Sequence, residues 1–199
     1  MKISSPYRKA FEDDCIELVV NAYNLAIIEK KYQTDWLEND FSELLKEYIN
    51  NRQFKITCET EKKLPPKTEI LEKGYGDKLD RIDFYFSKTW RTMKRFECFM
   101  EAKRLKEKDS NLKSAYIKEG MDRYISEKYP IGCMIGYLVE GDVTNTIDKG
   151  VNKLRNKYNR SAETLKMESH NLVKFYYESN HPEIGILKHL IFDFTNISN

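Results

Sequence analysis

No run of apolar residues in this chain comes near the ~20 needed to cross a bilayer, and its first residues carry no apolar core of the kind that makes a signal peptide. A cytoplasmic protein with no membrane partner is therefore expected. Cysteine is scarce: the four at 15, 58, 98 and 133 form no CxxC pair and have no histidine at metal-ligand spacing. They are expected as reduced, mostly buried thiols, not as a disulfide frame or a zinc site. Histidine is scarcer, with His170, His181 and His189 all late in the chain and none spaced for zinc. There is no glycine-rich phosphate loop, which excludes a P-loop nucleotide hydrolase, and no Ser/His/Asp arrangement stands out. Net charge is small, at +2, so the chain as a whole declares no partner.

The charge is instead unevenly distributed. Lys88 to Lys118 carries ten Lys/Arg against four Asp/Glu, whereas Phe11 to Glu61 carries five against twelve. The basic segment is either a solvated face or a surface that attracts phosphate. With 199 residues, 40% of them apolar, the chain is long enough to bury a sizeable core and fits one domain, 1–199.

Hydrophobic periodicity gives the elements. Ile16, Val19, Val20, Tyr23 and Ile27 predict a helix over Phe11 to Lys31, with Glu12, Asp13 and Asp14 in its first turn, where the helix dipole favours acids. Thr34 reads as the N-cap of a second helix, Asp35 to Asn50, whose stripe is Leu37, Phe41, Leu44, Leu45, Tyr48 and Ile49. At about 100° per residue, Glu38 points to the core-facing edge and Glu43 points away. Strands follow at Phe54 to Thr60 and at Leu79 to Phe86, separated by a Pro-containing connection and a turn at Gly74 and Gly76. The second strand is expected to put Ile82, Phe84 and Phe86 on one face and Arg81, Asp83 and Tyr85 on the other. It pairs as a hairpin with Phe96 to Lys103. A helix over Asn111 to Tyr129 carries Gly120 mid-way, which calls for a packing or ligand-approach reason. Ile131 to Val139 reads as a central strand covered on both faces. An amphipathic helix on Ile147, Val151, Leu154 and Tyr158 and a strand pair, Leu172 to Tyr177 and Leu187 to Phe194, complete an α/β chain with a mixed sheet flanked by helices.

Charged residues inside the apolar strand Phe96 to Lys103 are the informative feature. A period of two sends Glu101 and Lys103 from one face and Met100 and Ala102 from the other. Two carboxylates from adjacent strands, Asp83 and Glu101, are a donor set that Mg²⁺ prefers, with waters and a substrate phosphate completing its octahedron. A lysine beside them can orient or deprotonate water or stabilise a developing anion. Arg104, Lys106, Lys108 and Lys113 would attract a phosphate backbone. A surface salt bridge between Glu101 and Lys103 is the competing reading of the same residues.

Asp83 followed by Glu101-Ala102-Lys103 resembles the signature of the PD-(D/E)xK nucleases, the restriction-endonuclease-like superfamily, although Ile82 stands where the motif has proline. The element order from Asp35 to Val139 is similar to that family's core of helix, three strands, helix, strand. The resemblance implies an αβββαβ nuclease core over about 34–140, with an N-terminal helix (10–31) and a C-terminal extension (145–199) packed on it. It also implies a metal-dependent endonuclease, acting on DNA in a restriction or phage-defence setting and requiring Mg²⁺ or Mn²⁺. Asp83 and Glu101 would be metal ligands and Lys103 the catalytic lysine. An acid from the first core helix is implied too, for which Glu38 fits best and Glu43 is the reserve. From the helix after the Glu-x-Lys strand come Tyr116, Arg123 and Tyr124. A homodimer or a separate specificity partner is compatible with such a chain. The alternative class is a noncatalytic nucleic-acid-binding or regulatory partner that keeps the fold.

Overall fold

A computed structural model describes residues 5–51, 55–65, 77, 79–89, 95–126, 129 and 132–195; the expected turn at Gly74 and Gly76 lies outside them. The order is α1 (Ser5–Glu29), α2 (Glu38–Asn50), β1 (Thr57–Lys63), β2 (Arg81–Thr89) and β3 (Arg95–Lys106). There follow α3 (Ser110–Ala115), running through a π-helical segment Tyr116–Met121 into α4 (Asp122–Ile125), and then β4 (Cys133–Glu140). After it come α5 (Val143–Thr146), a second π-helical segment Ile147–Val151, α6 (Asn152–Lys157), β5 (Lys166–Met167), β6 (Tyr176–His181) and β7 (Gly185–Asp193). No described helix is long and apolar enough to cross a membrane.

The strands form one seven-stranded mixed sheet in the order β1-β2-β3-β4-β7-β6-β5. β4 is its axis. It lies parallel to both β3 and β7 and is buried along all but its last residue, as its near-continuous apolar sequence requires. Its alternate residues feed two cores. Ile135 and Tyr137 join Ile16, Val19, Phe41 and Leu45 under α1 and α2, while Met134 and Leu138 join Tyr116, Ile117, Ile147 and Val151 under the other helices. β6 and β7 extend this same sheet antiparallel to one another.

Two expected helix starts are corrected. α1 begins at Ser5, so Glu12, Asp13 and Asp14 lie beyond its first turn and the dipole does not account for them; Glu12 instead pairs with Lys188 at 3.0 Å. α2 begins at Glu38 with Leu37, not Thr34, at its N-cap. The Asp40 carboxylate accepts the Leu37 N–H at 2.8 Å, half of a capping box supplied from inside the helix.

The faces of β2 also differ from strict alternation. Phe84 and Phe86 pack beneath α1 and α2, but Ile82 packs on the opposite side with Tyr85. The switch falls at Asp83. The ladder pairs Thr60 with Phe84 and Lys62 with Ile82, which puts Glu61 opposite Asp83, and Glu61 has φ 50°. A left-handed residue inside a strand turns the backbone out of the pleat. Accordingly Lys62 lies over the Tyr85 ring, 5.6 Å from its centroid, on the same side as Ile82.

Candidate active site

The kink coincides with the point where β2 and β3 part. Their ladder runs from Thr89–Arg95 to Phe84–Met100 and stops; from Met100 onward β3 pairs with β4. Past that point the Ala102 N–H finds a side chain: Asp83 Oδ2 accepts it at 2.6 Å. Asp83 is thereby fixed across the gap from Glu101 and Lys103, while Met100 and Ala102 pack into the core beneath α1 and α2. α2 presents its first residue to the same gap, and Glu38 Oε2 accepts the Arg104 N–H at 2.8 Å.

The result is three carboxylates around one ammonium. Lys103 Nζ is 2.9 Å from Glu101 Oε1, 3.4 Å from Glu38 Oε1 and 4.0 Å from Asp83 Oδ2. Arg123 Nη1 donates to Glu101 Oε1 at 2.9 Å and to the Tyr129 hydroxyl at 2.7 Å, and that hydroxyl donates to Arg81 O. Tyr124 packs beneath, accepting the Glu101 N–H at 3.1 Å and donating to Cys133 O. Gly120 allows the approach of this helix. A Cβ there would meet the flexible tip of Met134 and lie 3.5 Å from Lys103 Cγ, so close packing accompanies the mid-helix glycine, within a π-helical turn of the kind often found beside functional sites.

Burial sets the electrostatics. It is the largest influence on Asp83, pushed up to about 6 despite Lys103 and the Ala102 N–H, and on Glu101, pushed up to about 8 with Asp83 adding to the effect. For Lys103 burial acts the other way, but Glu101, Asp83 and Glu38 outweigh it and hold the ammonium above the usual lysine range. A lysine so held is charged at neutral pH. Glu101, 1% exposed, leaves its Oε2 without a hydrogen-bond partner among the described residues, which is costly for a buried acceptor.

These groups line a polar cleft of roughly 350 Å³. Among the described residues no three His, Cys, Asp or Glu side chains stand ready to hold a metal ion as placed; the Lys103 ammonium lies between the acids instead. The donors nevertheless fit a hard cation. All are carboxylate oxygens, one is buried and unpartnered, and two have raised pKa values that a nearby positive charge would lower.

The other expected residues are placed differently. Glu43 bonds Lys46 and Thr60, so the acid that α2 brings to the cleft is Glu38. Arg123 reaches the cleft, but Arg104, Lys106, Lys113 and Tyr116 do not line it. Arg104 donates to Trp36 O and Lys106 pairs with Glu140 at 3.5 Å. Lys113 is buried with its ammonium on Glu107 O. Tyr116 is fully buried, so no nucleic acid reaches its hydroxyl; helical spacing alone does not say which face of the π-helical segment after α3 meets the sheet.

Sequence spacing also missed a polar network across β6 and β7. His181 Nδ1 bonds Glu163 Oε2 at 2.6 Å. Ser179 Oγ bonds His181 Nε2 at 2.6 Å and His189 Nε2 at 2.8 Å, and His189 Nδ1 bonds the Tyr116 hydroxyl at 2.8 Å. One assignment of protons satisfies every member: Tyr116 donates to His189, His189 to Ser179, Ser179 to His181, and His181 to Glu163. The order serine, histidine, acid is that of a hydrolytic triad, but Ser179 is 2% exposed and no substrate reaches it. Ser179 and His181 are close in sequence, but Glu163, His189 and Tyr116 are brought to them by the fold. Compared with protein-family models, curated proteins and solved structures, the chain matches none.

Proposed function

We propose that this chain is a divalent-metal-dependent nuclease of the restriction-endonuclease-like kind, hydrolysing phosphodiester bonds in nucleic acid, with DNA the first substrate to test. The observation that carries the reading is the convergence of Asp83, Glu101, Glu38 and Lys103 where β2 and β3 part, with Glu101 Oε2 left unpartnered among the described residues. The succession of α2, three antiparallel strands, α3 and the parallel strand β4 has the order of that nuclease core.

Asp83 and Glu101, with Glu38, would hold Mg²⁺ or Mn²⁺, which when bound neutralises phosphate charge and acidifies water. The remaining work falls to the protein. Lys103, held protonated by its neighbours, acts as a donor: it orients the attacking water or stabilises charge growing on the phosphate oxygens. Water oxygen adds to phosphorus, one P–O ester bond breaks, and the proton lost by the water is matched by one gained by the departing alkoxide. The Arg123 guanidinium, part exposed at the cleft, is positioned to meet a non-bridging oxygen. A noncatalytic binder of polyanions is disfavoured by the cleft itself, where five acids face three bases.

The test is incubation of single- and double-stranded DNA and RNA with Mg²⁺ or Mn²⁺, comparing the wild type with Lys103→Ala and Glu101→Gln. Cleavage by the wild type alone supports the assignment; equal cleavage by all three proteins rejects it, as does cleavage by none.

A further inference from the structure

We propose that Glu61, on β1, is a further ligand of the divalent cation bound in this cleft, a residue that the Asp83, Glu101-Ala102-Lys103 pattern does not assign. The inference rests on the cation of the nuclease reading and deepens it. Glu61 and Asp83 fall at one level, between the Thr60–Phe84 and Lys62–Ile82 pairs of the β1–β2 ladder, and Glu61 lines the same cleft as Asp83, Glu101 and Lys103. Its left-handed backbone, φ 50°, is a kink in β1 at the level where the facing of β2 changes between Ile82 and Phe84. In a regular strand Lys62 would lie on the opposite side from Glu61 and Glu59, yet Lys62 bonds Glu59 at 2.6 Å across the Tyr85 face. The irregular residue between them is Glu61, which lines the cleft with the acids.

Two further observations point to a cation. Glu101 Oε2, on a residue 1% exposed, has no hydrogen-bond partner among the described residues, so the cleft contains a buried carboxyl oxygen with its hydrogen-bonding capacity unfilled. The cleft is also lined by five acids and three bases, an excess of the carboxyl donors that a hard divalent ion takes. Little holds Glu61 back from such an ion. Its ion pair with Arg81 is 3.6 Å long and both side chains are more than a third exposed, an arrangement of small energetic worth. Glu43, by contrast, is committed to Lys46 and Thr60, and Glu59 is held by Lys62.

The experiment is calorimetric titration of Mn²⁺ into the wild type and into Glu61→Gln, Glu61→Gly, Glu59→Gln and Asp83→Asn, with thermal melts of each. Glu61→Gly keeps the left-handed conformation accessible and so removes the carboxylate from an intact fold. Expected is tight binding by the wild type and Glu59→Gln, loss of binding in Asp83→Asn, and affinity lowered about tenfold or more in both Glu61 variants, at least what loss of an outer partner costs a metal site. Wild-type affinity in the folded Glu61 variants, with binding lost in Asp83→Asn, overturns the role of Glu61 and leaves the nuclease reading standing. Absence of binding by the wild type overturns both.

Discussion

Lys103 Nζ and Glu101 Oε1 are 2.9 Å apart in a setting where Glu101 is 1% exposed, so the ammonium, with the Arg123 guanidinium at the same distance, is in direct contact with the most buried carboxylate of the cleft. Two residues separated by one position on a strand leave the same face, and the parting of β2 and β3 gives them Asp83 as a third member. The lysine thus compensates acids that a cation would otherwise compensate.

Removing that ammonium separates its two effects. Lys103→Ala is expected to bind Mn²⁺ at least as tightly as the wild type, because a charge competing for the same oxygens has gone. Cleavage should fall about 10²-fold or more, the usual cost of losing a positioned proton donor. Titration and single-turnover assays on the same preparation measure the two; weakened binding with unchanged single-turnover rate contradicts the role given to Lys103.

Cation binding should release protons. Asp83 at about 6 and Glu101 at about 8 are partly or wholly protonated at pH 6.5, and a hard cation takes the ionised forms. Apparent affinity for Mn²⁺ is therefore expected to rise from pH 6 to about 8.5 and then level. Calorimetry in two buffers of different ionisation enthalpy should report proton release at pH 6.5 and almost none at pH 9.5. Equal heats in both buffers at pH 6.5 contradict the arrangement.

The parts of this site visible in the sequence are those set by local periodicity. Alternation along β3 placed Glu101 and Lys103 together, and the 100° step along α2 separated Glu38 from Glu43, because both are properties of a single regular element. What periodicity could not show was irregular or long-range. The left-handed Glu61 reversed the side expected for Ile82, and nothing in Glu59-Thr60-Glu61-Lys62 marks it, since none of these residues is the glycine or asparagine that such a conformation favours. Tyr116 was misplaced because a polar-tipped aromatic reads as surface or core with equal ease until its partner, His189, is brought from 73 residues away.

Glu101 should also cost the fold stability at alkaline pH. In the unfolded chain its carboxyl ionises near 4.5, whereas the folded protein keeps the proton until about 8. Between those values the unfolded chain is the better place for the charge, so this contribution to stability declines as pH rises. Glu101→Gln is expected to raise Tm at pH 9 without metal and to change it little at pH 4.5, with each kcal/mol gained worth roughly 2–4 °C in a chain of this size. A lower Tm at pH 9 would show that the pairs with Lys103 and Arg123 outweigh burial.

Close approach makes one glycine far more demanding than another. A Cβ on Gly132 would lie 1.9 Å from Phe99 O, a backbone atom that cannot turn aside, whereas one on Gly185 would meet nothing within 4 Å and suffers only from φ 78°. Gly185→Ala should cost about 1–2 kcal/mol, and Gly132→Ala about 4 kcal/mol or more, in the range of severe lesions. Urea unfolding of the two variants decides it; similar midpoints would contradict the close packing between β3 and the start of β4.

The buried network makes a prediction of its own. Ser179 is the one group that can donate to His181 Nε2 while accepting from His189 Nε2, so Ser179→Ala leaves a buried acceptor and a buried donor unpaired, about 1–3 kcal/mol for each. Burial, the largest influence on both imidazoles, lowers the pKa of His181 and holds that of His189 well below the ordinary histidine value. Below about pH 6.5 the unfolded chain therefore binds protons that the folded chain refuses, and the histidines' share of stability is lost as pH falls. Ser179→Ala should lower Tm at pH 7, while Ser179→Thr, which keeps the hydroxyl, should recover part of the loss. Imidazole ¹⁵N shifts in the wild type should show His181 carrying its proton on Nδ1 and His189 on Nε2. Because β4 separates β6 and β7 from β3 in the sheet order, cleavage by folded Ser179→Ala should match the wild type. A fall in cleavage with unchanged Tm would instead tie this network to the cleft through Tyr116 and the helix that carries Arg123.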